Sequence, residues 1–332
     1  MNSSRRASRM FAFVVLLGLM VGCRQPEAPP TTAPLALKPN VVITMATPTP
    51  DVVITATQVL PTPPVARRNL SDSLYSLCWV AFSPTHYSPK PPLITPTLES
   101  LRADLRTLRA AGFTGLVTYG SDGITGRELP HLATEAGFSG LIAGVWTVPP
   151  SEEELLAIRN AALYTITVGY AIGNEGLFSR YNVITLTEAL SQVRALTGLP
   201  VATTQPVGDY GYPPFLALGD WVFPNAHPYF SNVKEPAAAV AWTTKAYSDV
   251  ARLTNGRPLL FKEVGLPSAG DPAIGEPQQA QYYAALQQSP AHFVYFESFD
   301  QLWKKSLPVE PHWGLFNSDR SPKQVSASLC RK

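Results

Sequence analysis

The chain has 332 residues, 45% hydrophobic and only 15% charged, with a formal net charge of +2. That length can bury one large core, and the near-neutral balance leaves no electrostatic footprint for nucleic acid. Three cysteines without a CxxC pair argue against a zinc ribbon or a thioredoxin-type redox site. The five histidines have no HExxH spacing, so no metal site is expected.

The first 23 residues read as an export signal. Arg5, Arg6 and Arg9 form a basic start, and residues 10–21 form an apolar run of 12, too short to span a bilayer. The run ends in Leu19-Met-Val-Gly-Cys23, which resembles a bacterial lipobox with Met20 where leucine is more usual. Lipidation of Cys23 would make the protein exported and anchored to the bacterial cell membrane, facing outside the cytoplasm, because several acyl chains hold where one does not. The plainer alternative is a cleaved signal peptide in which Cys23 is incidental. Residues 24–68, dominated by Pro, Thr, Ala and Val, read as a disordered tether. An internal echo, Val41-Val-Ile-Thr44 and Val52-Val-Ile-Thr55, could instead form two strands, but flanking prolines favour an extended linker. At about 3.1 Å per residue it would reach at most roughly 140 Å.

Residues 69–332 then alternate apolar strands with amphipathic helices. Strands are expected at 74–82, 113–119, 139–145, 164–173, 200–204, 221–226, 259–263 and 292–296. Helices are expected at 97–111, 126–136, 151–161, 184–197, 235–253 and 276–288, with a poorly helical stretch at 210–218 and a closing segment at 322–329. Ser151 and Glu154 have the spacing of a capping box. Eight strand–helix units in about 255 residues give the size and rhythm of a single (β/α)8 TIM barrel. An open doubly wound sheet is disfavoured, since the first strand–helix loop lacks a phosphate cradle and polar motifs end nearly every strand. Cys78 in the first strand and Cys330 at the end would be neighbours in a closed barrel. They could form a disulfide in an oxidising compartment or stay two isolated thiols.

Two strands deliver a lone carboxylate to a strand end. One is Gly169-Tyr-Ala-Ile-Gly-Asn-Glu175, and the other, 88 positions later, is Leu259-Leu-Phe-Lys-Glu263. Strands 4 and 7 of a barrel face each other across its mouth. A protonated Glu175 opposite an ionised Glu263 is what retaining hydrolysis of a glycosidic bond needs. Asn174 could hydrogen-bond the sugar 2-hydroxyl, and His227 or Tyr229 could hold Glu263 ionised. The chemistry requires no cofactor, and chelators should leave activity unchanged.

Gly169-Tyr-Ala-Ile-Gly-Asn-Glu175, Asn225-Ala-His-Pro-Tyr-Phe230, Lys262-Glu-Val-Gly-Leu-Pro-Ser268, Phe296-Glu-Ser-Phe-Asp-Gln-Leu-Trp-Lys304 and His312-Trp-Gly-Leu-Phe316 occur in the order seen in glycoside hydrolase family 17. The chain resembles that family over roughly residues 74–325. The resemblance implies a (β/α)8 barrel acting on β-1,3-glucan, with Glu175 as acid/base and Glu263 as nucleophile. It also implies sugar-binding or organising roles for Glu297, Lys304 and Glu310, and stacking roles for Trp303 and Trp313. Leu266 stands where tryptophan is common and Gln301 where an acidic residue is common. The second strand lacks an arginine often found there, so the sugar subsites are less well specified than the catalytic pair. A monomer acting on a β-glucan oligo- or polysaccharide is expected. The alternatives are a transglycosylase of the same family, a glucan-binding surface lipoprotein without activity, or another barrel hydrolase of the same clan.

Overall fold

The computed structural model describes residues 69–330. The export signal with Cys23 and the Pro/Thr-rich tether lie outside the described residues.

The described chain opens with helix α1 (Leu70–Ser76), whose start is capped by Asn69 accepting from the Ser71 amide. This corrects the expected first strand: residues 74–76 are helical, and β1 is only Trp79–Ala81. The apolar run from Leu74 has the pattern of one strand because a buried helix turn and a buried strand look alike over so few residues. Next come α2 (Leu98–Ala110), β2 (Gly115–Val117), α3 (Gly123–Glu135), β3 (Gly140–Val145), α4 (Glu152–Ala161), β4 (Thr167–Asn174), α5 (Val183–Thr197) and β5 (Val201–Thr204). A 3-10 turn (Val207–Gly211) and the one-turn α6 (Pro213–Leu216) fill the weakly helical stretch before β6 (Asn225–Ala226). Helix α7 (Pro236–Ala251), β7 (Phe261–Val264), α8 (Glu276–Leu286) and β8 (Phe293–Tyr295) follow, and the closing segment is a 3-10 turn (Gln324–Ser328).

Helix ends follow the local chemistry. Thr97 caps α2 by accepting from the Ser100 amide, and Leu101, Leu105 and Leu108 form its buried stripe. Ser151 and Glu154 make the reciprocal capping box of α4.

All strand pairs are parallel, in the order β5-β4-β3-β2-β1-β8-β7-β6. The seam between β5 and β6 is bridged at Pro206 and Asn225, with the Asn225 amide donating to the Gln205 carbonyl at 3.0 Å. The result is a nearly closed (β/α)8 barrel. One apolar shell, including Leu105, Leu116, Tyr170 and Phe261, fills the space between strands and helices. A second, with Trp79, Ile142, Trp221 and Leu260, fills the barrel interior. At the N-terminal end Leu74 of α1 and Leu77 just after it join this inner shell, and Trp79 Nε1 donates to the Ser73 and Leu74 carbonyls. Glycine is required opposite that ring. A Cβ on Gly115 would sit 2.3 Å from the Trp79 ring, and one on Gly140 would sit 2.4 Å from Leu77. A disulfide joins Cys78 to Cys330. One end of the barrel is thus sealed, and the carboxyl ends of the strands form the open mouth.

Candidate active site

Inward and outward positions alternate along β7. Leu260 belongs to the inner shell and Phe261 to the outer one, so Lys262 takes the next inward position, at the top of the barrel interior. Its neighbour Glu263 lies beside it where the pairing of β7 with β8 is irregular, between Phe261 and Val264. On β4, Asn174 ends the strand and Glu175 follows in the left-handed region, φ 50°. That conformation is unfavourable for a residue with a Cβ. It is fixed here by the Glu175 amide donating to the Thr204 carbonyl at 3.0 Å.

Glu175 and Glu263 line one cavity of about 460 Å³. Asn225 Nδ2 donates to Glu175 Oε1 at 2.7 Å. Lys262 Nζ donates to Glu263 Oε1 at 3.0 Å and to Asn174 Oδ1 at 2.6 Å. His227 Nε2 lies 3.2 Å from Glu263 Oε2.

The two carboxyls sit in opposite electrostatic settings. Burial opposes ionisation of Glu263, but the Lys262 charge, with the His227 and Lys262 hydrogen bonds, overcomes it and holds the carboxyl down at about 2. Burial, and then the negative charge of Glu263, raise Glu175 above the ordinary carboxylate value despite the Asn225 hydrogen bond. Glu297, wholly buried at the end of β8, is pushed up to about 7 by burial, against the pull of its partner Lys304 at 2.7 Å.

The remaining sequence-predicted residues divide. Glu310 and Trp313 line the cavity with the two carboxylates. Trp313 is only 1% exposed and is enclosed by His227, Phe230 and Phe296, so it is a wall of the site rather than an open stacking face. Tyr229 does not reach Glu263; its hydroxyl donates to Asp271 Oδ2 at 2.9 Å. Trp303 lines a neighbouring cleft with Tyr87 and Lys90. Gln301 is buried, and its Oε1 accepts from Trp303 Nε1 at 2.9 Å. Leu266 is fully buried in the outer shell. Gln301 and Leu266 thus act in packing and support. Among the described residues, no group of three or more His, Cys, Asp and Glu side chains could hold a metal ion.

The motif order and the barrel geometry are matched by a family model: the BtgE/BtgC glycoside hydrolase domain covers residues 80–314. The chain belongs to that family. It is a glycoside hydrolase. No curated protein matches it. Among solved structures, a glycoside hydrolase family 17 β-1,3-glucanosyltransferase from Rhizomucor miehei has 21% identity and a TM-score of 0.64, over 75% of this chain and 96% of that one. A β-1,3-glucanase and allergen of Cryptomeria japonica pollen has 17% identity and a TM-score of 0.56, over 76% and 99%. A GH2 β-galacturonidase from Eisenbergiella tayi has 16% identity and a TM-score of 0.59, over 76% and 50%. At these identities the likeness shows the barrel, which enzymes acting on different sugars share.

Within this BtgE/BtgC domain, two site residues escape sequence reasoning although both stand inside quoted motifs. Asn225 meets Glu175 only through tertiary structure. Lys262 reads as an ordinary strand-end charge until the alternation along β7 places it inside the barrel. A lysine flanked by apolar residues and the candidate nucleophile is the one signal that could have marked it.

Proposed function

We propose that the protein is an exported, membrane-anchored retaining glycoside hydrolase that cleaves β-1,3-glucan, with Glu263 as nucleophile and Glu175 as general acid/base. The observation that carries this reading is the opposed setting of the pair: Glu263 bonds Lys262 and His227, which favour its ionised form, while burial and the Glu263 charge raise the Glu175 pKa. Glu263 attacks the anomeric carbon as Glu175 donates its proton to the leaving oxygen. Once Glu263 is bound to the sugar it carries no charge, and its push on the Glu175 pKa disappears. Glu175 is then suited to take a proton from water, which releases the sugar with retained configuration. The β-1,3-glucan assignment draws support from the motif order and from the family 17 glucanosyltransferase and glucanase that share the fold. Export and anchoring rest on the basic start, the short apolar run and the lipobox ending at Cys23.

The test is laminarin hydrolysis by the full chain, with products followed by chromatography and the new anomer by proton NMR. The parent should release β-configured sugars, and Glu175→Ala and Glu263→Ala should each lose two to four orders of magnitude or more. Products longer than the substrate would mark a sugar acceptor replacing water, that is, transglycosylation. A folded parent that binds laminarin without cutting it would leave a binding protein instead. Fatty-acid labelling that persists in Cys23→Ala would sink the anchor.

A further inference from the structure

Lys262 is 1% exposed, and its ammonium touches both halves of the candidate site, Glu263 and Asn174. On one side it donates to Glu263 Oε1 at 3.0 Å; on the other it donates to Asn174 Oδ1 at 2.6 Å. Asn225 Nδ2, which holds Glu175, lies 3.4 Å from the same Asn174 oxygen. The ammonium also sits 4.3 Å above the centre of the Tyr119 ring. A buried lysine loses its hydration, and here burial lowers the Lys262 pKa while Glu263 and Glu175 raise it. Such a cation persists only where anions and acceptors are fixed around it.

We propose that Lys262 is a positioning residue of the reaction, which keeps Glu263 ready to attack and turns the Asn174 amide so that its Nδ2 hydrogens face the sugar hydroxyl beside the anomeric carbon. This rests on the hydrolase reading above. The amide argument is one of valence. Turning the Asn174 amide over would set its Nδ2 hydrogens against the Lys262 ammonium, donor against donor beside a positive charge, so the oxygen stays on Lys262 and the amide offers donors, not acceptors, to a ligand. An ionised sugar-binding carboxylate is not needed for that contact. The charged and titratable groups around Lys262 and Glu263 are Glu175 after β4, His227 after β6, Tyr119 after β2, and Glu297 with Lys304 after β8. Lys262 is the cation bonded directly to the nucleophile, and Lys304 is engaged with Glu297.

The experiment compares full-chain parent, Lys262→Met and Lys262→Arg. Circular dichroism and thermal melting first establish that each is folded. With laminarin, Lys262→Met should lose at least 100-fold in kcat/KM, and the acidic limb of its pH profile should move upward by one unit or more. Lys262→Arg, which keeps the charge, should recover part of the rate and most of the acidic limb. A second readout needs no substrate: with glutamate labelled at its δ-carbon, the carbon-13 signal that disappears in Glu263→Gln should titrate at higher pH in Lys262→Met than in the parent. An unmoved Glu263 titration, or a Met variant within threefold of the parent with an unchanged acidic limb, overturns the proposal. A parent inactive on laminarin would overturn the substrate assignment instead, while the carbon-13 titration still decides whether Lys262 governs Glu263. Should the Met variant not fold, Lys262→Arg carries both readouts, and there a Glu263 titration displaced by a unit or more despite the retained charge counts against it.

Discussion

Asn225 and Glu263 stand directly opposite one another in the parallel pair of β6 and β7. The Asn225 side chain reaches across to Glu175 on β4, so one strand pairing fixes the spacing between the two carboxyls. Asn225→Ala should therefore disturb Glu175 more than Glu263. The lost hydrogen bond favours the ionised form of Glu175, so its removal raises the Glu175 pKa and moves the alkaline limb of the pH profile upward. Losing about 1–3 kcal/mol of hydrogen bonding would lower kcat/KM by about 5- to 150-fold. An alkaline limb that stays in place or moves down counts against the assignment.

The parent's own pH profile follows from the same groups. The proposed mechanism needs Glu263 ionised and Glu175 protonated. Glu263, held at about 2, loses its charge only in strong acid. Glu175, raised by burial and by Glu263, gives up its proton above the ordinary carboxylate range. The expected profile is a broad bell whose alkaline limb lies above 4.5, the ordinary glutamate value. Initial rates on laminarin across pH would check it.

The two tryptophans should separate cleanly. Trp303 lines an open cleft, and Trp303→Ala should raise KM for laminarin about tenfold, or 1.4 kcal/mol, with little change in melting temperature. Trp313 is buried among rings, and Trp313→Ala should cost about 3–5 kcal/mol of stability. Equal effects of the two on stability would contradict the division.

Glu297 makes stability depend on pH. Its pKa in the fold is about 7, raised from 4.5, so the folded state holds a proton that the unfolded chain has released. Its contribution is fully present below the unfolded value and declines as pH rises from 4.5 to about 7, by on the order of 3 kcal/mol. Denaturant unfolding of the parent should weaken across that window. Glu297→Gln should flatten this part of the dependence, whatever it does to absolute stability.

The disulfide should matter to unfolding. Cys78 and Cys330 are 252 positions apart, and closing so long a loop stabilises the fold by about 5 kcal/mol in the chain-entropy description. Removing both cysteines should lower the melting temperature by roughly 10 °C or more. A change of only a degree or two would show that the unfolded chain gains little freedom when the link is absent.

The parts of this fold legible in sequence are those set by near neighbours. Thr97 and the Ser151–Glu154 box announce α2 and α4, and the strand-end carboxylates are visible because apolar runs lead into them. The first strand is shorter than its apolar run because the leading residues pack as a helix under the barrel, a tertiary choice that alternation does not encode. Strand β6 is shorter than expected since Trp221 and Phe223 extend the inner shell mostly outside regular pairing. By chemistry alone either His227 or Tyr229 could hold Glu263 ionised, but direction decides. The 3-10 turn Pro228–Ser231 carries Tyr229 to Asp271 and leaves His227 beside Glu263. Lys262 and Asn225 depend on which strands meet around the mouth, and that information is spread over the whole barrel.

The same covalent link also changes what a broken peptide bond would mean. With position 78 tied to position 330, nearly the whole barrel is a single closed ring. A protease that cuts one exposed loop opens the ring but releases no fragment. The severed ends stay at their original places in the barrel, and strands on either side of the cut remain one molecule. Two cuts are needed before any piece can leave. On a denaturing gel the singly cut protein would run as one species until a reductant is added.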